Sequence, residues 1–384
     1  MSRPTGYSIS GYSSLIADAG RTAPYVAALT QAVRPGAVVL DIGAGTGFFS
    51  LLACRLGARR VYAVEPDNAI GVAREVAAAN GCADRIEFIQ ELSTRITLPE
   101  PADVIVSDLR GVLPLFQHHL PSIVDARRRH LAPGGVLIPR IDRLWCAPAE
   151  APELYLHHLG PPEGAAYGFD LRPALWPSVN TWCKTNAKRE QLLADPAPWL
   201  ALDYAVVESP DARGAVMWTV GRPGTLHGLL LWFDAELADG IGFSNAPGGP
   251  ELIYGQAFFP LAAPVAVAAG DRVSAELAAN LVSDDYIWRW DTTVLGAGGQ
   301  VKAGFRQSTF FGAPLSPAQL RKRGAGYVPS LNADGQIRQL VLDRMDGHTP
   351  LGEIARALAE QYPGRFASWQ EALAMVADLS QKYS

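Results

Sequence analysis

Residues 37–65 read AVVLDIGAGTGFFSLLACRLGARRVYAVE. The β-rich run Val38, Val39, Leu40 ends at Asp41, and Gly43, Gly45 and Gly47 then alternate with small residues. An apolar helical run follows from Phe48 to Leu56, and a second strand, Val61 to Val64, closes on Glu65. The pattern is one β-α-β unit with its glycines at the first strand-to-helix turn. Glycine there permits a sharp turn and lets a ligand approach main-chain N–H groups at a helix N-terminus. An acid at the end of the second strand is placed to accept hydrogen bonds from ribose hydroxyls.

Two cofactor classes use such a turn. Dinucleotide enzymes carry G-x-G-x-x-G, but here the spacing is D-x-G-x-G-x-G and Phe48 stands where the third glycine would fall. No Lys-Ser/Thr pair follows, which excludes a triphosphate loop. The stretch resembles the first motif of class I S-adenosylmethionine-dependent methyltransferases, with Glu65 as the implied ribose partner. The competing plain reading is a tight turn with no ligand.

Three further strands are expected at Arg85 to Gln90, Val104 to Asp108 and Val136 to Pro139, the last introduced by a helix stop and turn at 131–135. Short β-branched strands alternating with helices indicate a parallel sheet covered on both faces. Ligands of such folds bind beyond the carboxyl ends of the strands. Asp41, Glu65 and Asp108 each end a strand, so all three are expected to face one crevice.

Past residue 140 the rhythm changes. Runs at Ala215 to Val220, Leu229 to Asp234, Val273 to Ala278 and Tyr286 to Val294 lie between Gly/Pro-rich turns and read as an antiparallel β domain. Tyr286, Trp288 and Trp290 share one strand face by the period of two and are expected in its core. Residues 167–202, rich in Pro and Trp, look like an arm interrupting that domain. The chain turns helical again near 325, where Thr349, Pro350 and Glu353 mark a helix start that puts Ile354, Leu358 and Tyr362 on one face.

The expected domains are therefore an N-terminal helical segment at 1–36, a Rossmann-like unit at 37–140, a β-barrel at 141–322 with its arm at 167–202, and helices at 323–384. A length of 384 residues fits two or three domains at a prior of ~150 residues each. With 48% hydrophobic and 18% charged residues the chain can bury a sizeable core. A net charge of −5 argues against a dedicated nucleic-acid binder. Cys54, Cys82, Cys146 and Cys183 lie far apart, as free thiols of a reducing compartment would. His118-His119 and His157-His158 are adjacent pairs that share no helix face, so no metal is expected. No apolar run approaches the ~20 residues of a membrane span, and a cytoplasmic protein is expected.

From about residue 7 to 312 the chain resembles the protein arginine methyltransferases. The resemblance is carried by VVLDIGAGTGFFS, VYAVEP, Tyr167-Gly-Phe-Asp170 and Gly242-Phe-Ser-Asn-Ala-Pro247. It implies a Rossmann-like S-adenosylmethionine domain, an antiparallel β-barrel and a homodimer formed through the arm. It places Arg21 on the cofactor carboxylate, with Asp41, Gly43, Gly45, Gly47, Glu65, Ser93 and Thr94 completing the cofactor set. The family's two-glutamate loop corresponds to Ser107-Asp-Leu-Arg-Gly-Val-Leu-Pro-Leu-Phe-Gln117. Asp108 takes the first glutamate position, one methylene short, and uncharged Gln117 takes the second. The family's Thr-His-Trp loop corresponds to Leu252-Ile253-Tyr254, without the histidine. Asp108 and Gln117 are thus the catalytic candidates, and Tyr7, Tyr12, Arg110 and Tyr254 the acceptor candidates.

A guanidinium stays protonated near neutral pH, and two carboxylates hold and orient it better than one. With one acid shortened and the other lost, methylation of N or O of a small metabolite or peptide is the leading expectation. Arg110 would suit an acidic acceptor if it reaches the site, or simply lie in solvent. Genuine methylation of protein or free arginine is the first alternative, and a catalytically silent, peptide-binding dimeric scaffold the second. The last 60 residues resemble PqqD-type peptide-recognition domains in their "DG…T…EIA" run, and a helical cap fits the same pattern.

Overall fold

The computed structural model describes residues 8–159, 169, 172–314 and 316–384. It divides into two compact units, residues 1–314 and 315–384.

Two helices open the first unit, α1 (Ile9–Ala17) and α2 (Ala19–Ala32). Asp18 separates them and caps α2, its Oδ1 accepting from the Arg21 amide at 3.2 Å. Then come β1 (Val38–Ile42), α3 (Phe48–Arg55), β2 (Arg60–Val64), α4 (Ala69–Ala79), β3 (Ile86–Ile89), β4 (Ala102–Ser107), α5 (His119–His130) and β5 (Leu131–Ile138). The five strands are parallel in the order β3-β2-β1-β4-β5. Every residue of β1 is buried, as a central strand covered on both faces must be. The strand order reverses between β1 and β4, so the crevice a ligand uses opens above their carboxyl ends.

One boundary differs from the sequence reading. Helix α5 does stop at His130, but residues 131–135 are the start of β5 rather than a turn, pairing Leu131 with Ala102 across a register shift. Gly134, at φ 75°, supplies the irregularity.

The β domain holds β6 (Ile141–Ala149), β7 (Cys183–Thr185), β8 (Ala197–Asp203), β9 (Ala212–Thr219), β10 (Gly224–Ala238), β11 (Ile241–Ser244), β12 (Gln256–Val267), β13 (Arg272–Val282), β14 (Asp285–Leu295) and β15 (Val301–Ser308). They form two antiparallel sheets, β7-β12-β10-β6-β8 with β11 on β10, and β15-β14-β13-β9. The sheets share a core in which Phe259 meets Trp288 and Trp290, each at 5.2 Å between ring centroids. Tyr286, Trp288 and Trp290 are all buried, as their alternation requires.

Less of 167–202 stands apart than the sequence indicated. Strands β7 and β8 pair with β12 and β6 and belong to the sheet. Outside it lie α6 (Pro152–Leu159) and α7 (Arg172–Val179). Most of the Tyr167–Asp170 segment lies outside the described residues.

The second unit contains α9 (Pro317–Lys322), α10 (Ala333–Asp343), α11 (Leu351–Gln361) and α12 (Trp369–Tyr383); a short α8 (Thr309–Gly312) ends the first. Its own core includes Ile337, Val341, Ile354, Leu358, Val376 and Leu379, with Tyr362 packed against it. Thr349 does not cap α11. It joins the Asp346–Gly347 turn, where Asp346 accepts from the Thr349 amide and hydroxyl. Among the described residues no helix is long and apolar enough to cross a membrane.

Candidate functional site

A cavity of about 600 Å³ opens at the carboxyl ends of β1, β2 and β4. Its walls come from α1 and α2 (Tyr12, Arg21), the glycine turn (Gly43, Ala44, Thr46), and the acid after β2 (Glu65). The segment after β3 (Leu92, Ser93), the loop after β4 (Asp108 to Gln117) and the first turn of α5 (His119, Ser122) complete them.

The glycine turn is obligatory. Gly43, Gly45 and Gly47 have φ of 74°, 53° and 84°, a region that costs an L side chain roughly 1–2 kcal/mol. A Cβ on Gly45 would lie 2.3 Å from the Tyr12 ring, and one on Gly47 would press on Ala73. The Gly45 amide donates to Glu65 Oε2 at 2.9 Å, and the Asp67 amide donates to Oε1 at 2.9 Å. The Tyr12 hydroxyl donates to the same carboxylate. Three donors on about four lone-pair directions leave Glu65 room for another. Burial raises its pKa against those hydrogen bonds.

Asp41 does not join this crevice. It lies inside β1, 1% exposed, and its Oδ2 accepts from Ser50 Oγ of α3 at 2.6 Å. Asp41 Oδ1 is buried without a partner, and burial, opposed by the Ser50 bonds, raises the carboxyl to about 7. Asp41 therefore braces the turn by tying β1 to α3. Thr94 is also misplaced by the sequence reading: it is exposed and absent from the walls, whereas its buried neighbour Ser93 lines them. Tyr7 lies outside the described residues.

At the other end, Asp108 gathers side chains from distant segments. Its Oδ2 lies 2.6 Å from both Nε and Nη2 of Arg21 and accepts from the Tyr254 hydroxyl at 2.5 Å. Its Oδ1 accepts from Arg110 Nε at 3.0 Å. Burial pushes the Asp108 carboxyl up, but Arg21, Arg110 and Tyr254 outweigh it and bring the pKa down to about 2. Asp18 sets part of this geometry, because its Oδ2 accepts from the Ile253 amide at 2.7 Å. That bond fastens the 252–254 loop to the start of α2 and brings Tyr254 beside Arg21, although Tyr254 itself lies behind the wall.

Arg110 is neither in solvent nor free for an acidic acceptor. Its side chain is fully buried, with Nη1 donating to Asp142 Oδ1 at 2.9 Å and Nη2 donating to the Tyr25 hydroxyl. The rings of Tyr25, Phe233, Phe243 and Tyr254 enclose the guanidinium at 5.3–5.7 Å. Cation–π attraction and two carboxylates offset the cost of burying it. Asp142 Oδ2 accepts from the Tyr204 hydroxyl at 2.6 Å, and Tyr204 sits 2.9 Å from His119 Nε2. The sequence reading found none of Tyr25, Asp142, Tyr204 and His119 as site residues. Their one signal was polar type within apolar surroundings, which many core residues share.

Gln117 is exposed at the mouth of the cavity, with φ 41°. Beside it, His118 Nε2 lies 3.1 Å from Asp284 Oδ1. Among the described residues no group of three or more His, Cys, Asp or Glu side chains could hold a metal ion.

The donor set fits S-adenosylmethionine. Glu65 has an acceptor direction left and would meet the ribose, Gly43 of the turn borders the cavity, and Arg21 offers a cation to the carboxylate.

A family model described as ribosomal protein L11 methyltransferase (PrmA) matches residues 20–139. The chain is 30% identical over 274 residues to arginine N(omega)-methyltransferase of Streptomyces achromogenes subsp. streptozoticus, covering 69% of this chain and 74% of that one. It is 29% identical over 238 residues to the probable protein arginine N-methyltransferase 6 of Arabidopsis thaliana, covering 59% of this chain and 54% of the relative. Several such plant relatives are spanned over only about half their length. Arabidopsis thaliana protein arginine methyltransferase 10 superposes with a TM-score of 0.68 at 24% identity, covering 78% of this chain and 97% of that chain. The Trypanosoma brucei PRMT1 enzyme-prozyme heterotetrameric complex with AdoHcy gives a TM-score of 0.69 at 22% identity, covering 77% and 96%. These two likenesses establish the shared fold: a parallel Rossmann-like sheet followed by an antiparallel β domain. With the glycine turn, Glu65 and the matched relatives together, the chain belongs to the arginine methyltransferase family of S-adenosylmethionine-dependent methyltransferases.

Proposed function

We propose that this protein methylates a guanidino nitrogen of arginine, either free or within a peptide. The observation that carries the reading is Asp108, an ionised carboxylate on the cavity wall that already pairs with guanidinium groups, Arg21 on one oxygen and Arg110 on the other. The relatives named for arginine methylation support it better than the small-metabolite acceptor expected from the lost loop glutamates.

When bound, S-adenosylmethionine supplies a methyl group on a positively charged sulfur. The residues of the chain have to place a nitrogen in line with that methyl and keep it there. Asp108 would hold the guanidinium by charge-assisted hydrogen bonds. A carboxyl with a pKa near 2 is a weak base, so its role is orientation and charge stabilisation rather than proton storage. The methylated nitrogen sheds its proton toward the exposed mouth at Gln117 and His118, and the product guanidinium keeps its single charge.

The test is incubation with methyl-labelled cofactor and either arginine or arginine-containing peptides, followed by mass spectrometry. A methylarginine product is expected. Turnover of another acceptor, with none of any guanidino compound, would return the site to the small-metabolite reading. No transfer to any acceptor, despite cofactor binding, would favour the silent scaffold.

A homodimer through α6 and α7 belongs to the same proposal. Leu156 of α6, Trp176 of α7 and Phe311 of α8 are exposed, and Trp176 stacks on Phe311 at 6.2 Å between centroids. Light scattering should give twice the monomer mass.

A further inference from the structure

We propose that Asp142 and Arg110 are positioning residues for the acceptor. Arg110 holds Asp108 by one oxygen, and Asp142 balances the arginine so that Asp108 keeps a negative charge for a cationic substrate. The inference rests on the guanidino reading above and adds two buried residues to it.

Arg21 and Tyr254 crowd Oδ2 of Asp108, whereas Oδ1 accepts from Arg110 alone. An incoming guanidinium has the one direction left on Oδ1 and whatever place on Oδ2 is given up to it. Arg21 borders the cavity and can turn to another anion. Arg110 cannot leave, because its side chain is fully buried and its departure would strand Asp142, which is 0% exposed. The permanent part of the site is thus one guanidinium between two carboxylates. It carries one net negative charge, the complement of one cationic acceptor.

Removing Asp142 would cancel that charge, because Arg110 would then be balanced by Asp108 alone. Asp142 would act without touching substrate, as it is not among the cavity walls. Its second oxygen holds Tyr204, which meets His119 on the wall, so the same acid also reaches a second wall residue. The site thereby regains, through a buried acid on β6, a charge that Gln117 does not provide.

The experiment compares the wild-type protein with Asp142→Asn and the double variant Arg110→Met/Asp142→Asn. It reads KM and kcat for arginine, and the affinity for S-adenosylhomocysteine by calorimetry. Asp142→Asn should raise KM about tenfold or more, the size expected when a buried charge loses its partner, while cofactor-product affinity stays within about threefold. The double variant removes one charge of each sign and should recover most of the loss. Unchanged KM in Asp142→Asn, or a double variant no better than the single, would overturn the inference and leave Asp142 a structural residue. Should Asp142→Asn not fold, the double variant is read alone, and a KM raised tenfold in it overturns the idea. Wild-type turnover of arginine decides the guanidino reading separately, before any variant is compared.

Discussion

The two ends of the cavity are built in opposite ways. The cofactor end is centred on one stretch, residues 43–67, whose contacts are largely main-chain: the Gly45 and Asp67 amides on Glu65, and a turn of three left-handed glycines, with Tyr12, Arg21 and Ser93 added from outside it. The acceptor end is assembled from side chains on α2, β4 and its following loop, β6 and the 252–254 loop. Arg21 and Tyr254, which meet at 3.2 Å, are separated by 233 positions. A backbone site depends on conformation and tolerates change poorly at its glycines. A side-chain site depends on charge balance, which is the role proposed for Arg110 and Asp142. The first end is therefore expected to fail by losing cofactor, the second by losing acceptor.

Asp108→Asn should have the largest effect. It removes the charge that orients the acceptor, and kcat/KM should fall on the order of 100-fold, about 3 kcal/mol of transition-state stabilisation. S-adenosylhomocysteine affinity should change little. A matching loss of cofactor affinity would erase the distinction between the two ends.

Glu65→Gln should do the reverse. It replaces an anionic acceptor of two backbone N–H groups and the Tyr12 hydroxyl. Cofactor affinity should drop about tenfold, the worth of a charge-assisted hydrogen bond, with KM for arginine unchanged at saturating cofactor. Calorimetry and steady-state kinetics separate the two quantities.

Gln117→Glu sharpens the contrast from the other side. It restores an acid at the exposed mouth, where solvent screening limits the gain to roughly 0.2–1 kcal/mol. KM for arginine should fall by no more than about fivefold, and less in high salt. A rise in KM would show that Gln117 is not placed to meet the acceptor.

The weakest expected influence on catalysis is that of Asp41, whose role is in stability. Its folded-state pKa of about 7 lies above the ordinary 3.8, so the folded form binds this proton more tightly. The resulting contribution is full below pH 3.8 and lost as pH rises through about 7. Thermal melts of Asp41→Asn should accordingly decline less than wild type between pH 4 and 7. Parallel profiles would mean that Asp41 keeps its charge in the fold.

What could be read from the sequence follows the same division. The glycine turn, the strands around it and Glu65 were legible because local chemistry specifies them: a strand period, a φ that only glycine adopts freely, an acid at a strand end. Asp108 was legible for the same reason. Asp41 misled because a strand-end acid and a buried acid one residue inside the strand look alike until the partner, Ser50, is placed. Thr94 and Ser93 differ only in which side of a short turn each faces. In sequence Arg110 fits solvent or an anion equally well, because an arginine in a loop has no local mark of burial. Its carboxylate Asp142 lies 32 residues away and its aromatic box reaches to Tyr254. The β7 and β8 strands were hidden by the Pro and Trp content around them, since pairing with β12 and β6 is a long-range matter.

The most direct test is product identification with methyl-labelled S-adenosylmethionine and arginine, alone and in peptides, on the wild-type protein beside Asp108→Asn. A labelled methylarginine is expected, its formation collapsing in the variant while S-adenosylhomocysteine still binds. Label on a non-guanidino acceptor alone, or methylarginine formed equally well without the Asp108 charge, would contradict the proposed function.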